Sequence, residues 1–225
     1  MTKLSGIRAV IVDLDGTMVD TAHDFQVAIN RMRAEFDLPP LPVQTITDFV
    51  GKGSDHLIRG VLSLDWPAQQ VGEQLDAAMT SYQRHYLAIN GDHSQLYPKV
   101  LEGLAALQAQ ELRLACVTNK PIAFAEPLLE KKGLRGFFDI VYGGDSLPRK
   151  KPDPAPMLQV CADFQLKPAQ VVAIGDSIND ALAARAAGCY VLHVPYGYNH
   201  GHAIQDVDSD GIVDTLLHAA HVITK

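Results

Sequence analysis

Ile7-Arg8-Ala9-Val10-Ile11-Val12-Asp13-Leu14-Asp15-Gly16-Thr17 is the stretch on which the fold turns. Residues 7–13 form a β-branched run with no polar alternation, the profile of a strand buried on both faces. Similar runs follow at 112–118, 138–142, 171–175 and 189–194. Helical patterns lie between them, at about 99–109 after Pro98, from Pro121 to Lys132 before Gly133, from Pro154 to Phe164, and from Ile178 to Ala187 before Gly188. Proline at the first turn and glycine past the last is the asymmetry that helices prefer. Buried strands alternating with helices predict an α/β fold, a Rossmann-like parallel sheet with helices on both faces.

Residues 18–89 interrupt this alternation. Phe25, Ala28, Ile29, Met32 and Phe36 mark one helix face, ending before Pro39-Pro40. Leu57, Ile58, Val61 and Leu62 mark a second, with Ser54 as the expected N-cap. Val71, Leu75, Ala78, Met79, Tyr82 and Tyr86 mark a third. All follow the 3.6-residue period. The expected organisation is a core of residues 1–17 and 90–225, with a small helical cap domain at 18–89 in which Trp66 packs.

The 225 residues suffice for a sizeable core without disulfide or metal staples. A 47% apolar, 20% charged composition excludes a disordered chain, a collagen and a coiled coil. No apolar run reaches the roughly 18 residues of a membrane span, and Met1–Arg8 has no pattern of a secretory signal. Nineteen basic against 26 acidic side chains give a net charge of −7, which argues against a nucleic-acid binder. An anionic substrate must then be held by local positive groups. Cys116, Cys161 and Cys189 are scattered, the pattern of reduced core thiols in a cytoplasmic protein.

Ligands of an open parallel sheet bind beyond the carboxyl ends of its strands. There the sequence places Asp13-Leu14-Asp15-Gly16-Thr17, Thr118-Asn119-Lys120-Pro121, Lys150-Lys151-Pro152-Asp153-Pro154 and Gly175-Asp176-Ser177-Ile178-Asn179-Asp180. Asp13, Asp176 and Asp180 offer hard oxygen ligands suited to Mg²⁺. A lysine, a hydroxyl and helix N-terminal amides suit a phosphate. With its charge neutralised, a phosphoryl group can be approached by one carboxylate, while another two residues on protonates the leaving alcohol and then activates water.

These four clusters, in this order, resemble the four motifs of the haloacid dehalogenase superfamily, and the resemblance extends over the whole chain. Val117-Thr-Asn-Lys-Pro, Tyr196-Gly-Tyr-Asn-His-Gly, Asp20 and Val50-Gly-Lys-Gly resemble more narrowly its bacterial phosphoglycolate phosphatases. The resemblance implies Asp13 as nucleophile and Asp15 as general acid and base. It implies Mg²⁺ held by Asp13, the Asp15 carbonyl and Asp176, with Asp180 in support. Thr118 and Lys151 would hold the phosphoryl oxygens, with Asn119 beside them; Lys150 is adjacent and competes for the lysine role. The implied substrate is a small phosphorylated metabolite, 2-phosphoglycolate first, and the implied assembly a monomer or homodimer.

Each position also has a plain reading. Asp15-Gly16 suits a turn, Thr118 and Asp176 suit helix caps, and Lys151 a solvated charge. Ser177 stands open between a cap and support of the site, and Asp20 between a cap and a functional role. Lys52, flanked by glycines, is expected to contact a substrate carboxylate, against a solvated loop lysine. His200, His202, His218 and His221 show no zinc spacing and read as surface or tail residues. The Tyr196–Gly201 loop has no chemistry that decides its role. Asp15 sets the chain apart from the superfamily's dehalogenases and phosphonate hydrolases, which lack it. Phosphatases for amino-sugar phosphates or pyrophosphate, and a sugar phosphomutase, keep it and remain alternatives.

Overall fold

The computed structural model describes residues 4–199 and 201–224. In chain order the strands and helices are β1 (Ala9–Val12), β2 (Val19–Asp20), α1 (Ala22–Ala34), α2 (Val43–Thr47), α3 (Ser54–Leu62), α4 (Ala68–Ile89), β3 (Gln95–Leu96), α5 (Val100–Ala109), β4 (Arg113–Val117), α6 (Ile122–Lys131), β5 (Ile140–Tyr142), α7 (Ala155–Phe164), β6 (Val171–Gly175), α8 (Ile178–Ala187), β7 (Tyr190–His193), β8 (Gly211–Ile212) and α9 (Leu216–Val222).

Six strands form one parallel sheet in the order β5-β4-β1-β6-β7-β8. The central strand is β1, with Val10 opposite Leu114 on one side and Val172 on the other. Side chains alternate across a strand, so Val10 and Val12 face one core while Ala9 and Ile11 face another. The first core is closed by α5, α6 and α9, the second by α7 and α8. Complete burial of one Val or Ile contributes about 1.5–3 kcal/mol, which is why β1, buried throughout, admits no polar residue. The fold is the expected Rossmann-like α/β sheet. The two-residue strands β2, β3 and β8 went unread, being too short to show a period.

The chain leaves the sheet after β1, turns to one side for β4 and β5, then crosses to β6 on the other. The carboxyl ends of β1, β4 and β6 therefore lie side by side at the point where the strand order reverses.

Helices α1–α4 build a separate apolar cluster from Phe25, Ile29, Met32, Ile58, Leu62 and Tyr82, among others, joined by Phe124 of α6. Trp66 packs edge-on against Phe36, ring centroids 5.6 Å apart. Arg33 is wholly buried beneath this cluster. It donates to the carbonyls of Pro39 at 2.8 Å and Val61 at 2.5 Å, and to Asp65 at 2.5 Å. Both ends of the insert meet in the antiparallel pair β2–β3, where Val19 faces Leu96 and Asp20 faces Gln95.

Ser54 does not cap α3. Gly53 holds the N-cap position at φ +88°. Cys116, Cys161 and Cys189 are buried free thiols. No described helix is long and apolar enough to cross a membrane.

Candidate active site

The site grows from the end of β1. The Asp13 N–H still donates to Ile174 of β6 at 3.0 Å, so its backbone stays registered with the sheet. Beyond it the chain folds into a tight turn, with the N–H groups of Met18 and Val19 donating to the Leu14 carbonyl and Gly16 at φ +81°. That turn keeps Asp13 and Asp15 on one cavity, which Thr118, Asn119, Lys120 and Asp176 also line.

Lys151 lies just behind. Its side chain is 2% exposed, and its ammonium reaches Asp13 at 3.0 Å, Asp180 at 2.7 Å and the Val117 carbonyl at 2.7 Å. Burial works against its charge, but Asp13 and Asp180 outweigh burial and hold the ammonium above the ordinary lysine value. Lys150 points elsewhere: its ammonium lies against Gly53 of the insert, outside the cavity lining.

Asp180 sits in the first turn of α8. Its Oδ2 accepts from the backbone N–H of Ser177 at 3.2 Å and from the Ser177 hydroxyl at 2.8 Å, while Oδ1 faces Lys151. Ser177 thus stands at the N-cap and also supports the site by fixing Asp180. Burial would raise the Asp180 carboxyl, but Lys151 and Ser177 together hold it below the usual range. Asp176 takes a hydrogen bond from the Thr17 hydroxyl at 2.9 Å and another from the Tyr198 N–H at 2.5 Å. Burial, then the charges of Asp13 and Asp180, push Asp176 well above an ordinary carboxyl. Burial likewise raises Asp13, with repulsion from Asp180 added and Lys151 opposing, to about 7.

Among the described residues, one group of three metal-ligating side chains converges: oxygens of Asp13, Asp176 and Asp180 lie within 4.8 Å of one another. Lys151 is ion-paired with two of these carboxylates, Asp13 and Asp180. Burial first, and repulsion among these carboxylates after it, raises Asp13 and Asp176, and a divalent cation would favour the ionised form of both. An all-oxygen donor set fits Mg²⁺. Asp180, already engaged through both oxygens, is the holder of Lys151 as much as a ligand.

Thr118 is buried, with its backbone N–H fixed to Tyr142 at 2.9 Å. Its hydroxyl oxygen accepts the Lys120 N–H at 3.2 Å, leaving its proton to donate. Asn119 differs from expectation. Its amide nitrogen donates to the carbonyls of Gly51 and Lys151, both at 2.8 Å, and only its acceptor oxygen is unpartnered. An acceptor cannot bind phosphoryl oxygens, so the Asn119 side chain ties the insert to the core, and a contact with substrate would fall to its backbone N–H. The Asn179 amide reaches the same Gly51 carbonyl at 3.2 Å.

Lys52 is exposed and lines no part of the cavity. Gly51 and Gly53, at φ +105° and +88°, turn backbone toward the site and send the lysine between them outward. His202 and His221 are exposed and His218 half-buried; His200 lies outside the described residues.

Two participants were not read from the sequence. Lys120 is buried and clamps Asp15, with its ammonium 2.9 and 3.1 Å from the two carboxylate oxygens and 2.7 Å from the Tyr86 hydroxyl. Its position in the cluster after β4 was the available signal. Tyr198 closes the site from the loop after β7, and its hydroxyl bonds Asp20 and receives the Ala22 N–H. Asp15 receives one more hydrogen bond, from Thr21 at 2.8 Å.

The geometry is matched by likeness to known proteins. The family described as haloacid dehalogenase-like hydrolase matches residues 7–188. The chain is 47% identical over 219 residues to the phosphoglycolate phosphatase of Nitrosospira multiformis, covering 97% of this chain and 96% of that one. It is 43% identical to the phosphoglycolate phosphatase of Thiobacillus denitrificans, with the same coverage. The crystal structure of a predicted phosphoglycolate phosphatase from Haemophilus somnus superposes with a TM-score of 0.91 at 33% identity, covering 97% of this chain and 99% of that one. Sheet order, the carboxylates after β1 and β6, and near-complete alignment with these relatives lead to one statement: the chain belongs to the haloacid dehalogenase-like hydrolase family.

Proposed function

We propose that this phosphoric monoester hydrolase cleaves 2-phosphoglycolate to glycolate and phosphate, using Mg²⁺ and an aspartyl-phosphate on Asp13. The observation that carries the mechanism is the pairing of two carboxylates that line one cavity with two buried ammoniums, Asp13 with Lys151 behind it and Asp15 with Lys120. The substrate follows from the relatives named above.

In this reading an oxygen of Asp13 attacks phosphorus and the bond to the ester oxygen breaks. Asp15 gives its proton to the departing alkoxide. Asp15 then takes a proton from water, the water oxygen attacks phosphorus, and the bond to Asp13 breaks, restoring its carboxylate and releasing phosphate. Lys151 and the Thr118 hydroxyl hold the phosphoryl oxygens. Mg²⁺, held by Asp13, the Asp15 carbonyl and Asp176 with Asp180 in support, would neutralise phosphoryl charge. Residues 18–89 act as a cap that covers the leaving group and excludes water. A cytoplasmic setting accords with three free thiols.

The test is phosphate release with Mg²⁺ from a panel of phosphoesters, wild type beside Asp13→Asn. Preference for 2-phosphoglycolate, abolished in the variant, is the expected result. Activity surviving in Asp13→Asn would sink the nucleophile assignment. Broad activity without that preference would leave the mechanism and reject the substrate.

A further inference from the structure

We infer that Lys120 is the residue that selects the substrate, by binding an anionic group one carbon from the ester oxygen of the leaving alcohol. The inference rests on the reading of Asp15 as the acid that protonates that oxygen.

Among the described residues lining the cavity, Lys120 carries the only cationic side chain. Lys151, behind Asp13, is engaged by Asp13, Asp180 and the Val117 carbonyl. The two ammoniums thus divide the site. Lys151 stands at the phosphoryl end and Lys120 at the end where the alcohol departs.

The surroundings of Lys120 sharpen its charge. Its side chain is 2% exposed, and its ammonium lies 4.6 Å from the ring centroids of both Phe25 and Tyr86. Phe25, Val50, Leu57, Tyr82 and Phe124 make the neighbouring wall apolar. In such surroundings an ion pair is far stronger than in water. Two of the ammonium's contacts go to the two oxygens of one carboxylate, Asp15. One contact suffices for that pair, so one N–H can turn to a substrate.

Reach sets the length of the tail. The ester oxygen must lie within about 2.6–3.2 Å of Asp15 to receive its proton. The ammonium is 2.9 Å from that same carboxylate. In 2-phosphoglycolate the carboxylate follows the ester oxygen after one methylene, about 3 Å away at ordinary bond lengths, and meets Lys120 there. A tail one carbon longer carries its charge past the ammonium into the apolar wall. A neutral tail leaves Lys120 with Asp15 and the Tyr86 hydroxyl.

The experiment compares kcat/KM for three esters: 2-phosphoglycolate, 2-hydroxyethyl phosphate, which is nearly its neutral isostere, and 3-phosphonooxypropanoate, one carbon longer. Wild type is expected to prefer the first by at least about 100-fold over the neutral ester, as sites with a buried polar partner do. Lys120→Met should bring that preference below about 10-fold, chiefly through KM for 2-phosphoglycolate, whereas Lys120→Arg should retain part of it. Equal loss on both esters in Lys120→Met, with the preference unchanged, would show that Lys120 only holds Asp15 and would overturn the inference. So would a wild type indifferent to tail charge or tail length, a result that needs no variant to fold. If wild type cleaves other phosphoesters in an Asp13-dependent manner but none of these three, the substrate reading fails instead.

Discussion

The backbone N–H of Tyr198 lies 2.5 Å from Asp176 Oδ2, and the hydroxyl of the same residue bonds Asp20 at the start of the insert. One residue of the loop after β7 thus touches both a carboxylate of the Asp13–Asp176–Asp180 cluster and the strand that leads into α1. The approach is close because the residue before it has no side chain. A Cβ on Gly197 would stand 2.2 Å from Asp176 Oδ2.

Gly197→Ala should therefore displace Asp176 while leaving the sheet intact. The expected result is a loss of Mg²⁺ affinity of about 10- to 100-fold, the usual scale for disturbing a neighbour of a metal ligand. Calorimetric titration of the metal-free protein with MgCl₂ measures it. Unchanged affinity would mean that the loop yields and that Asp176 does not depend on its seat.

Stability without metal should fall as pH rises from about 4 to about 7. Burial and the neighbouring carboxylate raise Asp13 from 3.8 to about 7, and Asp176 moves in the same direction. Through Asp13 and Asp176 the folded state binds more protons than the unfolded one in this window, so for this pair raising pH favours unfolding; His193 and His56, which burial lowers from 6.5, work the other way and set the smaller net fall. Asp180 is shifted the other way, and its contribution is lost only toward acid pH. The expected drop in Tm over this window is roughly 4 °C or more, and saturating MgCl₂ should remove most of it. A metal-free Tm that climbs across the window would contradict the charge balance described for the site.

Arg33→Met tests the packing of the insert. Arg33 is fully buried, with two carbonyls and Asp65 as partners. Asp65 is 30% exposed and can return to water, so the loss should fall short of the full cost of orphaning a buried charge. We expect about 2–3 kcal/mol, the range for a lost charged hydrogen bond, read as a lower urea midpoint. A change below about 0.5 kcal/mol, the scale of an ordinary surface substitution, would contradict the role given to it.

The sequence made the core site legible for a physical reason. Asp13, Thr118 and Asp176 each end an apolar, β-branched run, and the end of a buried parallel strand is where a polar residue has few other uses. The sheet brings those ends together without help from any particular side chain. Lys120 and Tyr198 were not legible because their roles lie in contacts with residues far off in sequence, Asp15 and Asp176. Glycines on both sides of Lys52 suggest a loop that approaches a ligand. They do so here, but it is backbone that approaches. Ser54 has the chemistry of a cap and lies one residue too late to serve as one. Asn119 sits in the right place, but its amide donors are committed to Gly51 and Lys151.

The pairing of Val19 with Leu96 and of Asp20 with Gln95 has a consequence for how the molecule tolerates change. The chain departs from the sheet and comes back at one spot, so everything between is a closed excursion with almost no net displacement. A turn of about two residues could bridge antiparallel partners so placed. Excising the segment, or exchanging it for another of different length, makes no demand on strand order or register in the sheet. The helical insert is in this sense detachable from the sheet that carries Asp13, Thr118 and Asp176, and the two can diverge at different rates.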